Sequence, residues 1–149
     1  MEIVTQPAMT VLYSSHQTTI MQLENFVGTI AKQLYADASA QGLLVSGPQF
    51  WIYYGMDGNP GTVFTLEIVL PIQGEVKEGA FKYKELPAFK SLVHKHAGPW
   101  EKMPESYGRL MGFIGEHKLG LSGIYREAYL NVDFQHPENN RVEIQAGIL

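Results

Sequence analysis

Two stretches of the chain, 64–72 and 141–149, alternate apolar and polar residues with the period of two that a half-buried strand requires. In the first, Phe64, Leu66, Ile68, Leu70 and Ile72 share one parity and Glu67 sits on the other. In the second, Val142, Ile144, Ala146 and Ile148 oppose Arg141, Glu143 and Gln145. Glu67 and Glu143 are 76 residues apart in a chain of 149, so each half ends in a comparable strand with a carboxylate near its middle.

The rest of the pattern fits two such halves. Val4 and residues 9–13 predict a first strand interrupted at Pro7, a residue that sheets tolerate at edges and bulges. Thr19 with Gln22 resembles a capping box, and Ile20, Leu23, Val27, Ile30, Leu34 and Ala38 recur at helical spacing, with Gly42 as a stop. The aromatic run 50–54 and the strand 63–72 flank Asp57-Gly58 and Asn59-Pro60-Gly61, which predicts a hairpin. After a polar connection at 73–79, residues 81–86 and 89–96 predict strands separated by Pro87. A helix is expected from about Pro104, with Glu105 in its first turn and Tyr107, Leu110, Met111 and Ile114 on its apolar stripe. Strands at 124–132 and 141–149 follow, with a turn-rich loop between them. The expected fold is α+β: one domain, 1–149, of two β-α-β-β halves, 1–76 and 77–149, related by a pseudo-twofold axis. An antiparallel sheet would carry helices on one face and a groove on the other.

Composition narrows the function. Hydrophobic residues make up 45% of the chain and charged residues 17%, the balance of a globular domain with a sizeable core. A net charge of −4 argues against direct nucleic-acid binding and against adsorption to anionic membranes, both of which need clustered Lys and Arg. The absence of cysteine removes disulfides, thiol nucleophiles and cysteine metal sites. No signal-peptide pattern and no apolar run of membrane length is visible, so a cytoplasmic location is expected. His94 and His96 share a strand face at a spacing that metals use, but without Cys or a local carboxylate no metal and no cofactor is expected. There is no P-loop lysine after the glycines at 55–61, and no nucleophile elbow.

Four segments carry a resemblance to a known family: His96-Ala97-Gly98-Pro99-Trp100-Glu101 between strand and second helix, Tyr107-Gly108-Arg109-Leu110-Met111-Gly112-Phe113 within that helix, Tyr129-Leu130-Asn131, and Val142-Glu143-Ile144. In this order they resemble the gyrase-inhibitor-like (GyrI-like) effector-binding domains, the ligand-sensing modules of multidrug-responsive transcription activators, related in fold to the SOUL haem-binding proteins. The resemblance implies duplicated halves, a small-molecule groove between them, and an acidic residue on a strand beside the groove. Glu143 is the expected acid and Glu67 its counterpart. The first half keeps the family's proline at Pro71, whereas the second reads Gln145-Ala146-Gly147-Ile148. With no DNA-binding module in the chain, the expectation is a stand-alone binding domain rather than an activator.

Tyr125, Glu127 and Tyr129 share one parity, and the 76-residue offset puts Trp51 and Tyr53 on the same face as Tyr129. An aromatic box beside a carboxylate suits an organic cation, because ring faces attract positive charge. The candidate ligand-binding residues are therefore Glu143, Glu67, Trp51, Tyr53, Tyr129, Trp100 and Tyr107. The same glutamates would equally suit the solvated face of an antiparallel sheet, and the same aromatics ordinary cross-strand packing. The expected function is capture of a small cationic or aromatic compound. The resemblance implies two alternatives beside it. One is hydrolysis of an electrophilic small molecule with Glu143 or Glu67 as base. The other is binding of a topoisomerase as protein partner, for which no surface can be named.

Overall fold

The computed structural model describes residues 1–149. Its strands are β1 (Glu2–Gln6), β2 (Met9–Thr18), β3 (Leu44–Val45), β4 (Phe50–Tyr54), β5 (Phe64–Gln73), β6 (Lys82–Leu86), β7 (Phe89–Ala97), β8 (Leu121–Asn131) and β9 (Arg141–Ile148). Two helices, α1 (Thr29–Ala40) and α2 (Met103–Glu116), complete an α+β fold, with short 3-10 segments at Ile20–Phe26, Trp100–Lys102 and Pro137–Asn139. The nine strands form one antiparallel sheet in the order β1-β7-β9-β8-β4-β5-β2-β6, with β3 added beside β5.

Two Pro-Ala dipeptides bend this sheet round. Gln6 pairs with Phe89 on one side of the first and Met9 pairs with Leu86 on the other, in one unbroken register. Pro7-Ala8 therefore lies opposite Pro87-Ala88. Each proline removes a ladder donor at the same level, and both chains pass there from one half of the sheet to the other. A two-residue connection spans no more than about 10 Å, so the two ends of the strand order must lie close together. Hydrogen bonding runs β2-β5-β4-β8-β9-β7 and returns through β1 to its starting chain, leaving only short edges.

The sheet has two unlike faces. One carries Leu12, Leu66, Leu70, Leu92, Val142, Ile144 and Ala146 and packs against Leu34 and Ala38 of α1 and Leu110 and Ile114 of α2. The other gathers Val11, Phe50, Ile52, Val69, Leu86 and Ala128 into a smaller core. Helix α1 lies over β5, β2 and β3, and α2 over β7. The central pair β4–β8, where first-half and second-half strands meet, is thus left between the helices.

The first helix is shorter than its apolar stripe predicts. Residues 20–26 form a 3-10 segment, Thr19 makes no side-chain cap, and α1 starts only at Thr29. Gly28, at φ 90°, is the reason: the chain passes there through a conformation that side chains disfavour and that no helix continues. Ile20, Leu23 and Phe26 still pack on the main core, but from above the central strands.

Candidate functional site

A cavity of about 1270 Å³ opens over the β4–β8 pair. Its floor is built by register. Trp51 pairs with Glu127 and Tyr53 with Tyr125, and directly opposed residues share a face. The Tyr129 amide donates to the Gln49 carbonyl at 3.3 Å, which continues the same register and places Gln49 beside Tyr129. Trp100, Met103, Tyr107 and Met111 wall one side, while Ile20, Leu23, Phe26 and Val27 wall the other. Trp51 and Trp100 both meet Tyr129 edge-on, with ring centroids 5.7 and 6.0 Å away.

Glu127 is the centre of this site. It is 7% exposed, on a floor made mostly of rings. Tyr53 and Tyr129 donate their hydroxyls to its Oε1 at 2.8 and 2.7 Å, and Tyr107 donates to Oε2 through a short hydrogen bond. Three O–H donors converging on two oxygens fit the ionised carboxylate, which only accepts. Burial first, and then the Glu127 charge, push the phenols of Tyr53, Tyr107 and Tyr129 well above the usual tyrosine range, so all three hold their protons. No basic residue answers the charge: among the 25 residues lining the cavity are the carboxylates Glu24, Asp57 and Glu127 and no Lys, Arg or His. Gln49 adds an unmet polar atom, since its Oε1 is buried without a hydrogen-bond partner.

Of the sequence-derived candidates, Trp51, Tyr53, Trp100, Tyr107 and Tyr129 line the cavity together. Glu67 and Glu143 do not. Cross-strand pairing puts Glu67 beside Ile52 and Glu143 beside Ala128, both members of the smaller core on the far face. There Glu67 is buried and accepts from Tyr54 Oη at 2.7 Å and Lys84 Nζ at 2.6 Å. Glu143 is half-buried and accepts from the Gln145 side chain at 3.0 Å. The groove expected opposite the helices is corrected in the same way: the cavity lies on the helix face, because α1 and α2 leave the central strands uncovered. The carboxylate that the aromatic face does carry, Glu127, was visible in the sequence by parity with Tyr125 and Tyr129.

His94 and His96 share the helix face but do not act as a pair. His96 is buried and fully engaged: Nδ1 meets Ser106 Oγ at 2.7 Å, while Nε2 faces the carbonyls of Gly98 and Pro99 at 3.2 and 3.1 Å. Because carbonyls only accept, Nε2 carries the proton and Nδ1 accepts from Ser106. These bonds tie the Gly98-Pro99 turn to α2 and set Trp100 at the cavity wall.

This geometry, a curled antiparallel sheet with a cavity between two helices, belongs to a known class. The chain matches the family model of the GyrI-like small molecule binding domain over residues 1–148, and it belongs to that family. Among solved structures it is similar to the C-terminal domain of EcmrR, with a TM-score of 0.82 at 18% identity over 99% of this chain and 96% of that one. It is also similar to SAV2435 bound to tetraphenylphosphonium, with a TM-score of 0.68 at 10% identity over 99% and 93% of the two chains. A protein described as a hydrolase from Listeria innocua matches with a TM-score of 0.68 at 14% identity over 99% and 91%. At these identities the likeness shows the fold. No curated protein sequence matches the chain. No helix is long and apolar enough to cross a membrane.

Proposed function

We infer that the cavity captures lipophilic organic cations, with Glu127 as the counter-charge and the rings of Trp51, Trp100 and Tyr129 as the contact surface. The observation that carries this is a buried carboxylate held by three phenols with no cationic side chain in the same cavity. Burying an unpaired charge is costly, and three hydroxyl donors recover only part of what water gives up. A cation entering the cavity supplies the missing charge, and the ring faces add about 0.5–2 kcal/mol per contact. Glu24 and Asp57 near the mouth make the approach acidic as well. The similarity to a protein bound to tetraphenylphosphonium supports the same reading and supplies the probe.

The test is titration of the protein with tetraphenylphosphonium and with tetraphenylborate, an anion of nearly the same shape, followed by Trp51 and Trp100 fluorescence. The cation is expected to bind and saturate, and the anion to bind at least about a hundredfold more weakly, because its charge term reverses sign. Equal binding of the two would mean that shape alone fills the cavity and that Glu127 does not select charge.

A further inference from the structure

Four large apolar side chains that line the cavity, Val27, Leu121, Val132 and Phe134, are exposed and belong to neither apolar cluster. Phe134 is the largest of them, a whole ring left 69% exposed at the rim. We propose that Phe134, with Val132, forms a rim subsite that takes a second aromatic group of the ligand, tethered away from the positive charge held at Glu127. The proposal rests on the cavity binding a cation and adds to it the shape of the rest of the ligand.

Three observations make the assignment. The first is that the exposure is built in. Residues 132–140 join β8 to β9, and the turn around Phe134 is tied by its neighbours. Asp133 Oδ1 accepts the amides of Gln135 and His136 at 3.1 and 2.9 Å, and the Asp133 amide donates to Asn140 Oδ1 at 2.8 Å. The Asn131 side chain donates to the Asn139 carbonyl at 2.8 Å and closes the base of the loop. Phe134 is thereby held out at the rim instead of folding back onto the core. The second observation is distance. Four residues of strand lead from Glu127 to Asn131, the last residue of β8, so the loop starts about 13 Å along the sheet from the root of the carboxylate. A cation held at Glu127 meets Phe134 only through a group that extends from it along β8. The third is volume. At about 1270 Å³ the cavity is larger than the roughly 300–1,000 Å³ that a drug-sized ligand usually fills, which leaves room for such a group.

The side chains of Val27, Leu121, Val132 and Phe134 offer no hydrogen bond and no charge, so the matching part of the ligand is an uncharged ring. A ring laid on Phe134 takes on the order of 100 Å² of apolar surface out of water, which, less the cost of ordering its tether, leaves about tenfold in affinity. The ligand class that follows is an elongated lipophilic cation with one aromatic group several bonds from the charge.

The test compares butyltriphenylphosphonium with 4-phenylbutyltriphenylphosphonium, which differ only in the terminal ring. Each is titrated calorimetrically into the wild-type protein and into Phe134→Ser, a change outside both cores, with thermal melts to confirm folding. The wild type is expected to bind the phenylbutyl compound about tenfold more tightly than the butyl compound, and the advantage is expected to fall to about twofold or less in Phe134→Ser. A wild-type ratio near one overturns the proposal, and so does an advantage that survives the substitution, because the ring would then lodge elsewhere. Sedimentation of the ligand-free protein as a dimer that Phe134→Ser dissociates would also overturn it, by assigning the exposed ring to a second copy of the chain. If neither compound binds the wild type, the cation reading fails and this proposal with it. If both bind equally well, only this proposal fails.

Discussion

Replacing Glu127 by Gln changes one charge in the cavity and almost no volume. In the free protein the new Oε1 still accepts from Tyr53 and Tyr129, while the amide nitrogen meets Tyr107, whose hydroxyl turns from donor to acceptor. The fold loses three charge-assisted hydrogen bonds but is relieved of a buried, uncompensated anion, so stability should move by no more than about 1–2 kcal/mol in either direction. Binding should respond more strongly. A cation centred about 5.5 Å from the carboxylate, at an effective dielectric of ~20, gains about 3 kcal/mol from the charge pair. Loss of that term weakens tetraphenylphosphonium by about two orders of magnitude. Isothermal titration calorimetry on wild type and Glu127→Gln measures it, with thermal melts as the control for folding. A Kd within about threefold of wild type, in a variant that melts normally, would refute the reasoning, because the charge would then be contributing nothing.

Other consequences follow from the same geometry. Because the native phenols of Tyr53, Tyr107 and Tyr129 sit far above the free value of 10.0, the stability they contribute is complete below that pH and is lost as pH rises above it. An alkaline absorbance titration should therefore show these three forming tyrosinate only together with loss of near-UV circular dichroism; smooth titration in the folded protein would contradict the buried cluster. Glu143→Gln should leave tetraphenylphosphonium affinity unchanged, since Glu143 lies on the far face. Glu67→Gln should leave affinity unchanged too, but cost about 1–3 kcal/mol in urea unfolding, because it removes the charge of a buried carboxylate paired with Lys84, whose partial exposure screens the pair. Gly147→Ala should destabilise by about 1–3 kcal/mol, since its Cβ would press on the Ser122 hydroxyl and lie 2.7 Å from the Ile124 carbonyl and 2.9 Å from Phe89; a melting point equal to wild type would show that β8 and β9 can part there freely.

How the sequence did and did not disclose the site has a physical explanation. The hairpin of β4 and β5 was legible from its aromatics and its Asp-Gly and Asn-Pro-Gly turn, and the face shared by Trp51, Tyr53 and Tyr129 from their parity. The proline breaks at Pro7 and Pro87 were legible as well, but not that they lie opposite one another, because register between distant strands is set by tertiary pairing. Assigning the acid to Glu143 followed from the family resemblance together with treating the apolar parity as core and the polar parity as groove. That rule fails when a ligand cavity lies between sheet and helices, since its walls are rings and aliphatic chains like those of a core. Tyr53, Tyr125 and Ile144 belong to one apolar cluster whether they touch a helix or a ligand. The distinguishing residue is the one that a core would not hold, Glu127 between two tyrosines of its own parity. The uncovered strip over β4 and β8 depends on where α1 and α2 dock, and on the break at Gly28, neither of which alternation encodes.

The central claim is that the buried carboxylate at the junction of β4 and β8 receives the ligand's charge. A crystal structure of the protein with tetraphenylphosphonium tests it most directly. The phosphorus is expected within about 6 Å of the Glu127 carboxylate, close enough for a charge term of a few kcal/mol, with phenyl groups against Trp51, Trp100 and Tyr129. A phosphonium found on the opposite face, beside Glu67 or Glu143, with the cavity over Glu127 unfilled, would contradict it.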